Sequence, residues 1–225
     1  MEGKKNLQVA ILIFKGVTAL DFVGPYDVLS FLPNVKVVFV SHTAGELYKD
    51  VGTFTIQATA SFDQVPNPDI VVVPGGMGTD ALMGDKTILQ WLCKAHETSL
   101  YTTSVCSGSL LLGAAGLLNG LEATTHWNAL EFLTNFGAKP VKARVVRQGK
   151  IITAAGVSAG IDMALQLVAL ISDETTAKTV QLSMEYDPQP PFDCGSPEKA
   201  GPEIVSKSQL RMQAEMQKFA AELSK

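Results

Sequence analysis

The sequence predicts an α/β protein whose mostly parallel sheet is covered by helices on both faces. Short apolar runs, each typical of a strand buried on both sides, alternate with segments whose apolar residues recur at helical spacing. Such alternation favours parallel strands joined by helices, with reactive groups beyond the carboxyl ends of the strands. Three such ends lead into loops that hold the side chains and glycines best suited to chemistry.

Four continuous apolar runs predict the parallel strands. They cover residues 7–14, 35–41, 70–73 and 100–105. Two later segments, 141–147 and 150–155, flank Gln148 and Gly149. This pattern predicts two more strands joined by a tight turn.

Helical spacing of apolar residues predicts the helices. Gly120 and Gly137 accept the left-handed conformation and end two of them, and Asp173 is placed to cap the start of another. The predicted helices cover residues 80–97, 110–118, 128–136, 158–171, 174–186 and 205–223.

Composition predicts one globular domain. The chain has 225 residues, of which 46% are hydrophobic and 18% charged, enough for a substantial core. No internal repeat or interdomain linker is evident, so we expect a single domain over residues 1–225. Its core covers about residues 7–186, followed by an extended tail and a helix over 187–225. Four prolines between residues 187 and 197 exclude regular helix or strand there.

Charge and cysteine content exclude several classes of function. A net charge of −4 without a basic cluster on one face argues against nucleic-acid binding. The apolar run near the N-terminus is too short to span a membrane. Three cysteines without a CxxC pair predict neither a disulfide framework nor a metal site. We therefore expect a cytoplasmic protein that acts on a small molecule.

Cys106 lies where the strand pattern 100–105 stops and the helix pattern 110–118 starts. A side chain at such a join is presented at the carboxyl edge of the sheet, beside the unpaired N–H groups of a helix. We expect this environment to lower the pKa of the thiol and to make Cys106 a nucleophile. The alternative is a buried structural cysteine, the commoner fate of a lone cysteine.

Asp21 follows the first strand between apolar neighbours. It is either a helix cap or a carboxyl held near the active centre, and Gly24 and Pro25 indicate a helix that starts slightly later. Beside a thiolate in an apolar pocket, its pKa would be raised. Asp21 would then donate a proton to the sulfur and to the substrate.

The glycine-rich loop after the third strand, residues 74–78, lacks the spacing of a nucleotide-binding loop. We expect the N–H of Gly76, together with that of Ser107, to stabilise negative charge on the substrate.

His126 is the one histidine whose position suits a site, because the other two follow a strand or lie late in a polar helix. A thiol nucleophile often has a histidine base, but a pocket-wall or structural role is equally open. We expect Trp127 to line a small apolar cavity, with Thr125 nearby.

These loops together are similar to those of the ThiJ/PfpI superfamily, which is related to class I glutamine amidotransferase domains. The resemblance covers about residues 8–186, and within the superfamily the chain is most similar to isocyanide hydratases. That group carries Asp in the first loop and a tail similar to residues 184–193. The motifs that carry the resemblance are residues 21–25, 73–76, the Cys106 turn with residues 110–118, and residues 123–127.

The resemblance implies a flavodoxin-like fold and a cofactor-free hydro-lyase that binds no metal, and it supports the homodimer that the apolar helices and the proline-rich tail predict. Its reaction converts isocyanides to N-substituted formamides through a covalent thioimidate on Cys106, with Asp21 as the proton donor. Ser107 stands where peptidase-like members have His, which counts against proteolysis, and many glyoxalase relatives have Glu in place of Asp21.

Two other functions stay open at this point. The same cysteine and acid would suit a glyoxalase or deglycase that acts on α-oxoaldehydes through a hemithioacetal. A non-enzymatic redox-sensing or ligand-binding protein would use Cys106 through oxidation to sulfenic or sulfinic acid.

Overall fold

The computed structural model describes residues 6–50 and 52–223 of the chain. These residues form two compact units, one that ends at Met184 and one that begins at Glu185. The helices of the first unit are α1 (Ala19–Ser30), α2 (Thr79–Leu82), α3 (Lys86–Thr98), α4 (Gly108–Ala114), a 3₁₀ helix (Trp127–Phe136), α5 (Ala159–Ile171) and α6 (Glu174–Ser183). Its strands are β1 (Leu7–Leu12), β2 (Val35–Ser41), β3 (Leu47–Lys49), β4 (Thr55–Gln57), β5 (Ala60–Ser61), β6 (Ile70–Val73), β7 (Tyr101–Val105), β8 (Glu122–Ala123), β9 (Lys139–Pro140), β10 (Val145–Gln148) and β11 (Ile151–Ala154).

A seven-stranded sheet in the order β10-β11-β7-β6-β1-β2-β5 forms the centre of the first unit. Every neighbouring pair is parallel except β10 and β11, which form the predicted hairpin. The mostly parallel α/β fold is thus confirmed. Because β1, β6, β7 and β11 are mutually parallel, their carboxyl ends share one edge of the sheet, where the predicted site residues follow them.

Helices cover both faces of this sheet. On β7, the Thr102 hydroxyl lies 2.9 Å from the Nδ1 of His96 in α3. A Cβ added to Gly160 of α5 would lie 3.1 Å from the Val105 side chain. Residues three apart on a strand point to opposite faces, so α3 and α5 lie on different sides. Most residues of β1 and β7 are accordingly buried, and Ile70–Val73 of β6 are fully inaccessible.

The predicted start of α1 was wrong. The helix begins at Ala19 and contains Pro25, which removes a backbone hydrogen bond and costs on the order of 3 kcal/mol in a helix interior. Close packing offsets that cost: a Cβ on Gly24 would come within 2.9 Å of the Ile161 side chain of α5. Tertiary packing therefore outweighs the local preference for a later start.

Four other helix predictions also needed correction, and two of them concern the end of α6, at Ser183 rather than residue 186, and the start of the final helix, at Pro197 rather than residue 205. The helix predicted over residues 80–97 is interrupted, because Asp85 accepts hydrogen bonds from the N–H groups of Thr87 and Ile88 and starts α3. The helix predicted to run to residue 118 ends at Ala114. By contrast, the predicted cap at Asp173 is present and accepts the N–H of Thr176 at 2.8 Å.

The second unit consists of an irregular segment followed by a helical region, α7 (Pro197–Leu223), which Gly201 interrupts with a φ of 75°. The expected lack of regular structure among the prolines holds up to residue 196. Pro197 itself stands at a first helical position, which proline tolerates. No helix in residues 6–50 and 52–223 is both long and apolar enough to cross a membrane.

Candidate active site

Cys106 forms the turn between β7 and α4 in a strained backbone conformation. Its φ is +57°, a region that non-glycine residues seldom occupy. Its N–H donates to the carbonyl of Ala155 at 2.9 Å, and the Thr125 hydroxyl donates to its carbonyl at 2.8 Å. The residue as a whole is 8% exposed. The neighbouring chain segments thus hold Cys106 in a fixed orientation with only a small part of the thiol accessible.

The glycine-rich loop after β6 packs directly against this turn. A Cβ on Gly75 would lie 2.5 Å from both the N and the Oγ of Ser107, so only glycine allows the approach. This contact explains the glycine at position 75 without any nucleotide.

Asp21 lies in the first turn of α1 and is completely buried. Its Oδ2 accepts the N–H of Gly75 at 2.9 Å, whereas no N–H or O–H of the described residues reaches its Oδ1. The N-cap position belongs to Thr18, so Asp21 is not the helix cap. The carboxyl and the Cys106 thiol interact, and each shifts the pKa of the other.

The site raises the pKa of both Asp21 and Cys106, but to different values. Burial raises the pKa of Asp21 to about 7, in the predicted direction, although hydrogen bonds from Gly75 and Cys106 oppose the shift. Burial, followed by the negative charge of Asp21, raises the pKa of Cys106 to about 12. The predicted lowering of the thiol pKa was therefore wrong, because burial and a nearby carboxylate outweigh the donors at the start of α4.

Three donors still favour the thiolate. The N–H groups of Ser107 and Val157 and the hydroxyl of Ser107 all lower the pKa of Cys106. Val157 has a φ of 36°, which is unusual for a β-branched residue. With Asp21 protonated, its charge no longer opposes ionisation of the thiol, so moving one proton from sulfur to carboxyl yields a thiolate inside this set of donors.

The Ser107 hydroxyl connects the turn to the glycine-rich loop. Its Oγ accepts the N–H of Gly76 at 3.0 Å and lies 3.0 Å from the hydroxyl of Thr79. The Gly76 N–H is thus already paired within the protein, whereas the Ser107 N–H acts on the Cys106 sulfur. The role of both N–H groups toward substrate stays a prediction.

His126 packs against the loop that carries Val157. A Cβ on Gly156 would lie 2.7 Å from the Cδ2 of His126, and the Nδ1 accepts the N–H of Asn128 at 3.3 Å. Burial lowers the pKa of His126, which favours its neutral form. Among the described residues, no hydrogen bond joins His126 to the thiol. The Trp127 ring lies 5.5 Å from the imidazole, and both side chains are half-buried.

Sequence reasoning missed three contributors to the site and expected a different role for a fourth. Gly75 and Val157 act through backbone N–H groups, whose role the residue type does not reveal. Thr125 was predicted to lie near a pocket, but its buried hydroxyl supports the Cys106 turn. Thr79 went unnoticed because it stands in an unremarkable polar stretch. Over the residues that the structure describes, no group of three or more His, Cys, Asp or Glu is arranged to hold a metal ion.

Comparison with known proteins shows which proteins this chain is similar to. The sequence pattern of the DJ-1/PfpI family matches residues 7–170. An isonitrile hydratase of Pseudomonas putida is 44% identical over 205 residues, which cover 91% of this chain and 90% of that protein. A crystal structure of a ThiJ/PfpI family protein from Pseudomonas syringae superposes with a TM-score of 0.88 at 40% identity, over 97% of this chain and 90% of that one.

A deglycase of Thermococcus kodakarensis is more distant. It is 26% identical over 149 residues, which cover 65% of this chain and 89% of that protein.

Proposed function

The chain belongs to the DJ-1/PfpI family, and from that premise we propose that it is a hydro-lyase that converts isonitriles to N-substituted formamides. The observation that carries the proposal is the buried pair of Cys106 and Asp21, in which a thiol stands beside a carboxyl whose pKa is raised to about 7. The 44% identity to an isonitrile hydratase over 91% of the chain supports the choice of substrate.

The first step joins the sulfur to the terminal carbon of R–N≡C. Within the pair, the thiol proton moves to Asp21, and the thiolate attacks the carbon. Asp21 returns the proton to that same carbon, which gives a thioimidate, R–N=CH–S–Cys106, and an ionised Asp21. A carboxyl with a pKa near neutrality suits this role, because it is readily protonated and readily ionised at the working pH.

The second step adds water to the thioimidate. Ionised Asp21 takes a proton from the water as its oxygen bonds to carbon, and then passes the proton to nitrogen. The C–S bond breaks as the C=O bond forms, and the remaining hydroxyl proton goes to Asp21. The products are R–NH–CHO and the thiolate with protonated Asp21, and return of that proton to the sulfur restores the starting state without a cofactor.

The hydrogen-bond donors around Cys106 stabilise negative charge on the sulfur in this scheme. The N–H groups of Ser107 and Val157 and the Ser107 hydroxyl stabilise the thiolate before attack and after release. The Gly76 N–H, paired with Ser107, contributes through that hydroxyl. His126 and Trp127 form part of the wall that the R group meets.

The limited accessibility of the thiol favours a slender reacting group. With only 8% of Cys106 exposed, a linear isonitrile carbon enters end-on more easily than a branched carbonyl compound.

We also propose that the protein is a cytoplasmic homodimer.

A side-by-side assay of an isonitrile and methylglyoxal tests the proposal. We expect formamide production from the isonitrile, abolished in Cys106→Ala, and at most slow conversion of methylglyoxal. Faster conversion of methylglyoxal would favour the glyoxalase or deglycase function instead, in keeping with the distant deglycase relative. Absence of both reactions from a folded protein with an oxidisable Cys106 would favour the redox or ligand-binding function.

A further inference from the structure

Thr79 is a buried polar residue that the scheme above does not use. It is the first residue of α2, directly after the glycine-rich loop, and only 1% of it is exposed. Its hydroxyl lies 3.0 Å from the Oγ of Ser107. Ser107 therefore lies between Thr79 and the nucleophile, because its hydroxyl also interacts with the Cys106 sulfur.

The direction of these hydrogen bonds follows from the atoms available. A serine hydroxyl has one proton to donate and two lone pairs that accept. The Gly76 N–H uses one lone pair of Ser107 Oγ. If Ser107 donated its proton to Thr79, none would remain for the sulfur. The proton of Thr79 would also lack any hydrogen-bond acceptor among the described residues.

The opposite direction satisfies every group. Thr79 donates to the second lone pair of Ser107, and Ser107 keeps its only proton for Cys106. An unpaired buried donor is costly, so this direction is strongly preferred. Hydrogen bonds in such a chain also polarise one another, which strengthens the final bond to a charged acceptor.

We propose that Thr79 is a positioning residue that directs the Ser107 proton onto the Cys106 thiolate. It touches neither substrate nor sulfur and acts through Ser107 alone. The inference deepens the proposed function, since it concerns the same nucleophile, but its central consequence is ionisation of the thiol and needs no substrate.

Thr79→Val removes the hydroxyl at nearly constant shape, whereas Thr79→Ser retains it. At neutral pH the rate of alkylation by iodoacetamide is proportional to the fraction of Cys106 present as thiolate, so the ratio of rates between two variants gives the difference in the pKa of Cys106. We expect Thr79→Val to raise that pKa by about one unit and to slow alkylation at neutral pH about tenfold. Thr79→Ser should stay near the parent protein. With an isonitrile, kcat should fall in Thr79→Val while KM changes little.

Thr103→Val is the matched control. Thr103 is also a buried threonine, and its hydroxyl donates to the carbonyl of Val71 at 3.0 Å, away from Ser107. This change should reduce thermal stability without moving the thiol pKa. If Thr79→Val does not fold, Thr79→Ala replaces it in the same comparison.

A double-mutant cycle with Ser107→Ala separates the proposed role from general packing. If Thr79 acts through Ser107, Thr79→Val should add almost nothing to the pKa shift of Ser107→Ala. An unchanged thiol pKa in Thr79→Val, additive shifts, or equal damage from Thr79→Ser would overturn the proposal. Loss of isonitrile turnover by the parent protein with these pKa shifts intact would instead refute only the proposed substrate.

Discussion

The carboxylate of Asp21 raises the pKa of the Cys106 thiol, while the thiol lowers the pKa of the carboxyl through a hydrogen bond. The two groups therefore titrate as a pair that holds one proton from about neutral pH into the alkaline range. A catalyst that must both form a thiolate and protonate carbon needs such a shared proton. The turn at Cys106 fixes the orientation of the thiol. Burial raises the pKa of Asp21, so that the carboxyl can hold the proton near neutral pH.

Replacing Asp21 by Asn should separate thiol reactivity from turnover. The change removes the negative charge that raises the pKa of Cys106, so iodoacetamide should alkylate the thiol faster at neutral pH. Turnover of an isonitrile should nevertheless fall by at least about a hundredfold, because the proton donor is lost. Parallel alkylation and formamide assays measure the two effects.

Asp27→Asn provides the control, because Asp27 lies on the same helix but is exposed. It should leave both rates unchanged. Asp21→Glu should be partly active at best, since the longer side chain displaces the carboxyl by about 1 Å. Full turnover in a folded Asp21→Asn protein would show that the proton comes from His126 or from solvent.

Cys106 should be the only thiol required for turnover. Cys106→Ala should abolish formamide production, and Cys106→Ser should nearly do so, because a hydroxyl is a far weaker nucleophile at neutral pH. Cys93→Ser and Cys194→Ser serve as controls and should retain most activity. Steady-state kinetics of the four variants decide the matter, and normal rates in Cys106→Ala would remove the covalent mechanism.

The strands and the turn at Cys106 could be predicted because they depend on the local pattern of apolar residues. Buried strands such as Ile70–Val73 leave continuous apolar runs, and Cys106 marks the place where one pattern gives way to another. The start of α1 could not be predicted, because the packing of Gly24 against Ile161 overrides the local effect of Pro25.

The direction of the pKa shift at Asp21 could be predicted from its apolar neighbours, but the direction at Cys106 could not. The pKa of Cys106 depends on how deeply the thiol is buried and on the charge of Asp21, which is distant along the chain. Gly75 and Val157 act through backbone N–H groups, which every residue type except proline has. Only the fold therefore shows which N–H groups face the site.

The protein should be a homodimer in solution. Leu20 and Tyr26 on α1 and Phe54 after β3 are exposed large apolar side chains, and such surfaces are commonly buried in symmetric interfaces. Light scattering at micromolar concentration should give a mass about twice that of one chain. A monomeric mass under these conditions would contradict the prediction.

The stability of the protein should depend on pH through Asp21. The pKa of this carboxyl rises from an ordinary 3.8 to about 7 in the folded state, so the folded protein retains a proton that the unfolded chain releases. The resulting stabilisation is complete below about pH 4 and is lost as the pH rises through 7. Its full size is on the order of 4 kcal/mol at 1.4 kcal/mol per unit of pKa.

Asp21→Asn cannot titrate and should lack this dependence. The free energy of unfolding of the parent protein should therefore decrease relative to that of the variant between about pH 4 and pH 7, and the difference should level off at higher pH. Urea denaturation across this range measures both proteins, with Asp27→Asn expected to follow the parent. Parallel curves for the parent and Asp21→Asn would mean that the buried carboxyl is ionised throughout, and the proton needed to convert the isonitrile carbon to a thioimidate would then have to come from another donor.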